Sequence, residues 1–286
     1  MHTAPIISAE ALRTALASSD DIVLLDAGRT RAAWAQGHLH GARYANCDEH
    51  LSSASLPGHD PARGGRHPLP SLDDWCRTLG EWGIAPSTRV VVYDEQAGAN
   101  SASRAWWMLR SVGHEHVAVL DGGLPAAVAA GLVLTTAPAE LSSLPPYPGK
   151  RWLLPVVDIG ETDALRTNPA WRVIDVRSAR RFAGLEEPLD PIAGHIPGAI
   201  NVPYTENLEA GRFKSPDDLR RMYEERLEGV GGDRVVVHCG SGVTACHTLL
   251  ALEIAGIRGA SLYVGSWSEW CRSPLPRASA SDTDVA

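Results

Sequence analysis

The stretch Arg234-Val-Val-Val-His-Cys-Gly-Ser-Gly-Val-Thr-Ala245 decides the fold of the second half of the chain. Its valines predict a short buried strand, and its two glycines predict a tight loop ahead of an apolar helical run. Cys239 therefore lies where a strand ends and a helix begins. Loop N–H groups and a helix N-terminus both stabilise an anion, so the pattern predicts a reactive thiolate. The alternative is a small core cysteine, but packing alone does not require Gly240 and Gly242.

A second copy of this pattern lies in the first half of the chain. Residues 89–94 match residues 234–239, and Leu25-Asp-Ala27 matches Ile174-Asp-Val176. The motifs keep their order while their spacing drifts by only a few residues, which indicates a duplicated domain and not a short solenoid repeat. We expect an N-terminal domain at residues 1–136, a proline-rich linker at 137–155, a C-terminal domain at 156–273 and a flexible tail at 274–286.

Strands and helices alternate in both halves. The predicted strands are residues 23–26, 90–93, 117–120, 173–176, 235–238 and 261–264. The predicted helices are residues 71–82, 101–112, 215–227 and 243–255. This alternation predicts an α/β fold in which each domain has a mainly parallel sheet with helices on both faces. Ligands bind such sheets at the carboxyl ends of the strands, which is where Cys239 falls.

The two copies differ at the position of the cysteine. Asp94 stands in the first copy where Cys239 stands in the second. An aspartate cannot carry sulfur, so we expect the first copy to be catalytically silent and to contribute a wall between the domains. The alternative is that the first copy has separate chemistry on Asp94.

Composition excludes several function classes. A net charge of −8 and a pI near 5.7 argue against nucleic acid as a partner. The sequence has no apolar run long enough for a membrane span, and its first residues lack a secretory pattern, which predicts a cytoplasmic protein. Five cysteines without any Cys-x-x-Cys suggest neither a disulfide framework nor a zinc site, and no metal is predicted.

The loop at residues 239–245 resembles the active-site loop of the rhodanese superfamily, and closely that of its mercaptopyruvate sulfurtransferase branch. Val173-Ile-Asp-Val-Arg177, Gly194-His-Ile-Pro-Gly-Ala199 and Gly265-Ser-Trp-Ser-Glu-Trp270 add to the resemblance. It covers nearly the whole chain apart from the C-terminal tail. The resemblance implies two rhodanese-like domains and a sulfurtransferase of EC 2.8.1 type.

The chemistry expected of this loop is a two-step covalent cycle without a cofactor. The Cys239 thiolate takes sulfur from a small anionic donor and holds it as a persulfide, while N–H groups of Gly240, Gly242 and Val243 hold the negative charge. The hydroxyls of Ser241 and Thr244 donate to the persulfide or to a departing enolate. Thr244 has an alternative role as a helix-start hydroxyl.

The resemblance also assigns residues outside the loop. The substrate-binding arginine of the family falls on Arg181, whose planar guanidinium suits a carboxylate. A second arginine is usual in the mercaptopyruvate branch, and Leu189 stands in its place, so we expect that clamp to be missing. His67 resembles a family histidine that approaches Ser241 across the domain interface, with Asp60 at the matching spacing; a simple loop histidine is the alternative.

Three functions stay open at this point. The first is transfer of sulfur from 3-mercaptopyruvate to a thiophilic acceptor, either cyanide or a thiol such as thioredoxin or a low-molecular-weight thiol. The others are a thiosulfate sulfurtransferase and a non-catalytic persulfide carrier. A phosphatase of related fold is set aside, because Ala245 occupies the position where such an enzyme needs an arginine for phosphate.

Overall fold

The computed structural model describes residues 4–18, 21–28, 30–99, 101–140 and 142–280. The chain divides into two units. The first unit contains the residues up to Ser55, Leu69–Leu154 and Ala210–Phe213, and the second contains Leu56–Pro68, Pro155–Glu209 and the residues from Lys214 on. Residues 56–68 lie within the first half of the sequence, yet they belong to the second unit.

The first unit is built on a five-stranded parallel sheet. The strands of the unit, including two outside this sheet, are β1 (Ile6–Ile7), β2 (Ile22–Ala27), β3 (His38–Leu39), β4 (Arg43–Ala45), β5 (Arg89–Tyr93), β6 (Val117–Leu120) and β7 (Leu134–Thr135). Its helices are α1 (Ala9–Ala17), α2 (Arg31–Gln36), α3 (Leu72–Glu81), α4 (Ala102–Ser111) and α5 (Gly123–Ala129). The sheet has the order β1-β6-β5-β2-β4, and β3 pairs with β7 in an antiparallel ribbon.

The second unit repeats this architecture. Its strands are β8 (Val156–Val157), β9 (Arg172–Asp175), β10 (Ile200–Asn201), β11 (Leu208–Glu209), β13 (Val235–His238) and β14 (Ser261–Tyr263), while β12 (Arg212–Phe213) is counted with the first unit. Its helices are α6 (Ile159–Leu165), α7 (Ala179–Phe182), α8 (Pro216–Leu227), α9 (Ala245–Ile254) and α10 (Ser266–Trp270), with 3₁₀ turns at Tyr204–Asn207 and Gly232–Arg234.

The sheet of the second unit has the order β8-β14-β13-β9-β10, and all its strand pairs are parallel. This order matches that of the first unit strand for strand. Val235, Val236 and Val237 are fully buried because helices cover both faces of a parallel sheet. The α/β fold class and the duplication predicted from the sequence are thus confirmed.

The long predicted elements are confirmed with boundaries that move by a few residues at most. The predicted strands correspond to β2, β5, β6, β9, β13 and β14, and the predicted helices to α3, α4, α8 and α9. The C-terminal segment differs from the expected flexible tail over part of its length. Ala278 exchanges backbone hydrogen bonds with His195, and the Ala280 N–H donates to Ala183 O. Residues 281–286 of that expected tail lie outside the described residues.

No helix in the described part of the chain combines the length and the apolar character that crossing a membrane requires.

Asp94 has a structural task in the first unit. Its carboxylate is fully buried just after β5 and accepts backbone N–H groups of Gln96 (2.8 Å), Gly98 (2.8 Å), Ser101 (3.2 Å) and Ala102 (3.1 Å). The loop that could cradle an external anion is therefore filled by a side chain of its own. This arrangement argues against separate chemistry on Asp94.

We expect Asp94→Asn to lower the free energy of unfolding by about 2 kcal/mol, because the amide nitrogen turns a donor toward buried N–H groups. The urea midpoint, followed by tryptophan fluorescence, measures this effect. Glu95→Gln changes the neighbouring exposed acid in the same way and should shift the free energy by less than about 0.5 kcal/mol. Equal effects of the two substitutions would contradict the structural role of Asp94.

Candidate active site

Cys239 begins the loop between β13 and α9. Its Sγ accepts hydrogen bonds from the backbone N–H groups of Ser241 (3.4 Å) and Gly242 (3.2 Å). The cysteine is 3 % exposed. The geometry therefore holds the sulfur against two backbone donors. Gly242 is one of the three N–H donors expected from the sequence, whereas Ser241 was expected to act through its hydroxyl.

Position 242 requires a glycine because of its backbone conformation and because of the small space around its Cα. Its φ is +76°, and a Cβ at this position would stand 2.5 Å from the Val264 carbonyl oxygen. Any other residue would have to move the backbone after β14, which would move the N–H groups off the sulfur.

The first residues of α10 hold the cysteine loop by hydrogen bonds to its backbone. The Cys239 carbonyl accepts the Trp267 N–H (3.0 Å), and the Gly240 carbonyl accepts the Ser268 N–H (2.9 Å). The Cys239 N–H in turn donates to Ser266 Oγ at 3.1 Å. These contacts explain why the motif at residues 265–270 accompanies the cysteine loop.

The last residues of the loop lead into the helix. The Val243 carbonyl accepts the Cys246 N–H at 3.1 Å. Thr244 lies immediately before α9, and its hydroxyl makes no capping hydrogen bond to the helix. The alternative role of Thr244 as a helix-start hydroxyl is therefore not supported.

Residues 56–68 bring a histidine to the loop. His67 Nδ1 lies 2.8 Å from Ser241 Oγ. The segment is held by the Gly64 N–H, which donates to Glu269 Oε1 at 2.7 Å, and by the Arg66 N–H, which donates to Ser268 Oγ at 3.0 Å. Gly65 packs against the Gly265 carbonyl so closely that a Cβ would clash. His67 is thus a residue of the site within the second unit.

Asp60 lies in the same segment, but its side chain contacts the backbone of that segment and makes no hydrogen bond to Ser241 or His67 within the described part of the chain. It is exposed, and its carboxylate accepts the Ala62 N–H at 3.0 Å. A role for Asp60 in assisting Ser241 therefore has no support in this geometry.

Arg177 supports the strand end beneath the site. Its guanidinium binds Asp175 at 2.6 Å, donates to Gly194 O at 2.7 Å and lies over the Trp267 ring. Burial alone would lower the pKa of Arg177, but the neighbouring carboxylates outweigh burial and raise it. Burial lowers the pKa of His238 and so favours its neutral form. The charges of Arg177 and Asp175 cancel each other, and His238 is neutral, so these three residues together add no net charge near the cysteine loop.

Arg181 lies beside the loop and is held by Glu187. Its Nη2 is 2.7 Å from Glu187 Oε1, and its Nε is 3.2 Å from Glu187 Oε2. Glu187 is itself fixed, because its Oε1 accepts the N–H groups of Leu189 and Asp190 at 3.1 Å each. A Cβ placed on Gly240 would stand 3.5 Å from Arg181 Nη1. The arginine predicted from the sequence therefore reaches the residue that follows Cys239.

A second guanidinium stands at the same place. Arg66 forms an ion pair with Asp190, and its Nη2 would lie 3.1 Å from a Cβ on Gly240. Asp190 is fully buried and also binds Arg272 at 2.9 Å. We call Arg66, Arg181 and Arg272 the arginine cluster.

Arg66, Glu187 and Asp190 are residues of this site that were not predicted from the sequence. Arg66 immediately precedes the predicted His67, and this adjacency is the signal that could have found it. Its pairing with Asp190 joins residues far apart in sequence, so no local sequence pattern predicts this ion pair. Leu189, which stands where the mercaptopyruvate branch usually has its second arginine, is 61 % exposed.

Comparisons with known proteins agree with this geometry. The family model described as "Rhodanese-like domain" matches residues 8–130 and 158–273. A "Probable 3-mercaptopyruvate sulfurtransferase" of Pseudomonas aeruginosa is 39% identical, over 96% of this chain and 97% of its own. A "Putative thiosulfate sulfurtransferase SseB" of Mycobacterium tuberculosis is 37% identical, over 94% of each chain.

The fold has a counterpart among solved structures. The structure of 3-mercaptopyruvate sulfurtransferase from Leishmania major superposes with a TM-score of 0.76 at 30% identity and covers 94% of this chain and 75% of that chain. Taken with the two matches to the family model, the duplicated sheet and the cysteine loop, this similarity identifies the chain as a member of the rhodanese family with two rhodanese-like domains.

Proposed function

We propose that this protein is a sulfurtransferase that moves sulfur from 3-mercaptopyruvate to a thiophilic acceptor through a persulfide on Cys239. The observation that carries the proposal is the Cys239 Sγ, which accepts two backbone N–H groups within a loop that lies beside arginine side chains. The second unit is the catalytic one in this proposal, and the first unit is silent because Asp94 replaces the cysteine.

The first step transfers the sulfur to the enzyme. The Cys239 thiolate attacks the sulfur of mercaptopyruvate, a sulfur–sulfur bond forms, and the carbon–sulfur bond breaks with its electron pair on carbon. The product is the enolate of pyruvate, which takes up one proton to become pyruvate. Ser241 and His67, in contact at 2.8 Å, are the groups that supply this proton. The Thr244 hydroxyl and the loop N–H groups stabilise the developing negative charge.

The second step regenerates the enzyme. The thiolate of an acceptor attacks the outer sulfur of the persulfide, forms its own persulfide and releases the Cys239 thiolate. No cofactor is needed, because sulfur and electrons pass directly from donor to acceptor. We propose a protein thiol such as thioredoxin, or a low-molecular-weight thiol, as the acceptor. All five cysteines are free thiols, which suits a reducing compartment, and we propose the cytoplasm.

The charge balance of the site favours mercaptopyruvate over thiosulfate as the donor. The arginine cluster contributes three positive charges, and Glu187 and Asp190 contribute two negative charges. With the negative charge of the Cys239 thiolate these charges sum to zero, so the site accepts the single carboxylate of mercaptopyruvate more readily than the two negative charges of thiosulfate.

Thiosulfate sulfurtransferase remains the second candidate. The relative from Mycobacterium tuberculosis carries that name, and two guanidinium groups beside Gly240 supply more positive charge to the loop than the sequence analysis expected. A persulfide carrier without turnover is the third.

A comparison of two donors tests the proposal. With one thiol acceptor at fixed concentration, we expect kcat/KM for mercaptopyruvate to exceed that for thiosulfate by at least about tenfold, because the charge of the site fits one carboxylate. Pyruvate release and sulfite release measure the two reactions. A higher kcat/KM for thiosulfate would contradict the choice of donor. Uptake of a single sulfur without steady-state release would instead indicate a carrier.

A further inference from the structure

The first unit holds a cavity that the proposed sulfur transfer does not use. It lies between α2, β4 with the loop that follows it, the end of α3 and residues 138–139, and its volume is about 180 Å³. All the residues that line it belong to the first unit. An engineered cavity of about 150 Å³ holds benzene, so this cavity has room for a single aromatic ring.

Four aromatic side chains line the cavity and contact one another in sequence. The ring centroid of Tyr44 lies 5.8 Å from that of Trp34 and 5.8 Å from that of His50. The His50 ring in turn lies 5.4 Å from that of Trp82. Aromatic rings gain from offset-stacked or edge-to-face contact with a further ring. This wall therefore favours a planar aromatic ligand.

Arg43 adds a positive charge to the same cavity. Its side chain is half-buried, and its Nε is buried without a hydrogen-bond partner in the described part of the chain. Burial lowers the pKa of Arg43 although Asp21 acts in the opposite direction, so Asp21 compensates the guanidinium only in part. A partly buried cation without a full counter-charge is unfavourable, and a bound anion would relieve it.

The other titratable groups that line the cavity add no further charge. Arg31 is paired with Glu49 at 2.6 Å, and both of these side chains are exposed. His50 Nδ1 accepts the Asn46 N–H at 3.1 Å, and burial lowers the pKa of His50, so its ring is neutral and carries its proton on Nε2. Burial raises the pKa of Tyr44, which keeps its hydroxyl neutral. The cavity therefore presents one cation that is not fully compensated.

We infer that this cavity binds a small aromatic monocarboxylate, with its ring among Trp34, Tyr44 and Trp82 and its carboxylate on Arg43. The planar guanidinium of an arginine matches the two oxygens of a carboxylate. The inference goes beyond the proposed function and does not rest on it, because no residue of the cysteine loop lines the cavity.

Fluorine NMR of the full chain with 4-fluorobenzoate and 4-fluorobenzamide tests the inference. The two probes share the ring and nearly the same shape, but only the first carries a charge. We expect saturable binding of 4-fluorobenzoate, with a Kd at least about fivefold lower than that of the amide, because hydrogen bonds to a charged group are the stronger ones. Absence of saturable binding, or equal affinities for the two probes, would overturn the inference.

Substitution of Arg43 locates the charge. We expect Arg43→Gln to raise the Kd of 4-fluorobenzoate by at least about fivefold and to leave that of the amide within about twofold. Arg77→Gln is the matched control, because Arg77 is an exposed arginine of α3 that pairs with Asp74 at 2.7 Å and does not line the cavity. It should leave both affinities unchanged. If Arg43→Gln does not fold, Arg43→Met, which keeps an apolar stem, is judged by the same criteria.

The arginine cluster beside Cys239 could bind the same probe, so Arg181→Ala is measured as well. Retained binding of 4-fluorobenzoate in Arg181→Ala, together with its loss in Arg43→Gln, supports the cavity. An Arg43→Gln protein that binds both probes like wild type overturns the inference, whatever Arg181→Ala does. Turnover of mercaptopyruvate should be the same in Arg43→Gln as in wild type, and the binding result can be read even if the proposed function fails.

Discussion

Replacement of Cys239 by serine should reduce turnover of mercaptopyruvate to the background rate, a loss of at least about a thousandfold in kcat. Serine is nearly isosteric, so the contacts of the loop with Ser266 and Trp267 should persist. Its oxygen cannot hold a transferable sulfur, and no covalent intermediate forms. Steady-state release of pyruvate measures the effect.

Cys246→Ser is the matched control for this loss. Cys246 lies in α9, and its Sγ donates to the Gly242 carbonyl at 3.4 Å, a contact that a serine hydroxyl can also make. We expect this variant to retain at least about half of the wild-type turnover, because Cys246 lies within α9, whereas Cys239 begins the loop whose N–H groups contact its own Sγ. Substantial turnover in Cys239→Ser would refute the assignment of the nucleophile.

The other buried thiols are poor substitutes for Cys239. Burial raises the pKa of Cys76 and that of Cys271, so both remain protonated near neutral pH. A protonated thiol is a weak nucleophile, and neither residue is expected to take over the sulfur.

Replacement of Arg181 by alanine should lower kcat/KM for mercaptopyruvate by about tenfold to a hundredfold. The substitution removes the guanidinium that approaches Gly240 and leaves Glu187 beside the donor. The remaining negative charge adds repulsion of the donor to the lost attraction, which makes this the largest effect expected of a single arginine. Initial rates over a range of donor concentrations give the measurement.

Arg180→Ala supplies the comparison for Arg181. Arg180 is the preceding residue on α7, but its side chain is 66 % exposed and pairs with Glu186 at 2.9 Å on the surface. We expect less than about a twofold change in kcat/KM, because an exposed ion pair contributes little. If both variants behave like wild type, the role of Arg181 in binding the donor is wrong.

The central sheets and the loop could be predicted from local patterns. The valine runs before Asp94 and Cys239 form β5 and β13 because a strand buried on both faces must be apolar along its length. The glycine at position 242 could be placed in a tight turn because only glycine readily adopts its backbone conformation.

The remaining features depend on contacts between distant parts of the sequence. Two-residue strands such as β1 and β8 are too short to show a period, so no pattern indicates them. Residues 56–68 carry Gly65 and Arg66 into the second unit through contacts with Gly265, Ser268 and Asp190. Such pairings bury charge between segments that local propensity cannot relate, which is why Arg66 could not be placed beside the cysteine loop from the sequence.

Mass spectrometry of the enzyme after one exposure to mercaptopyruvate, without an acceptor, tests the central claim most directly. Residues 235–258 form one tryptic peptide that contains both Cys239 and Cys246, so fragmentation has to place the added sulfur within it. We predict a mass gain of one sulfur atom, located on Cys239, that disappears when a thiol acceptor is added. A gain located on Cys246, or a gain that persists in Cys239→Ser, would contradict the account.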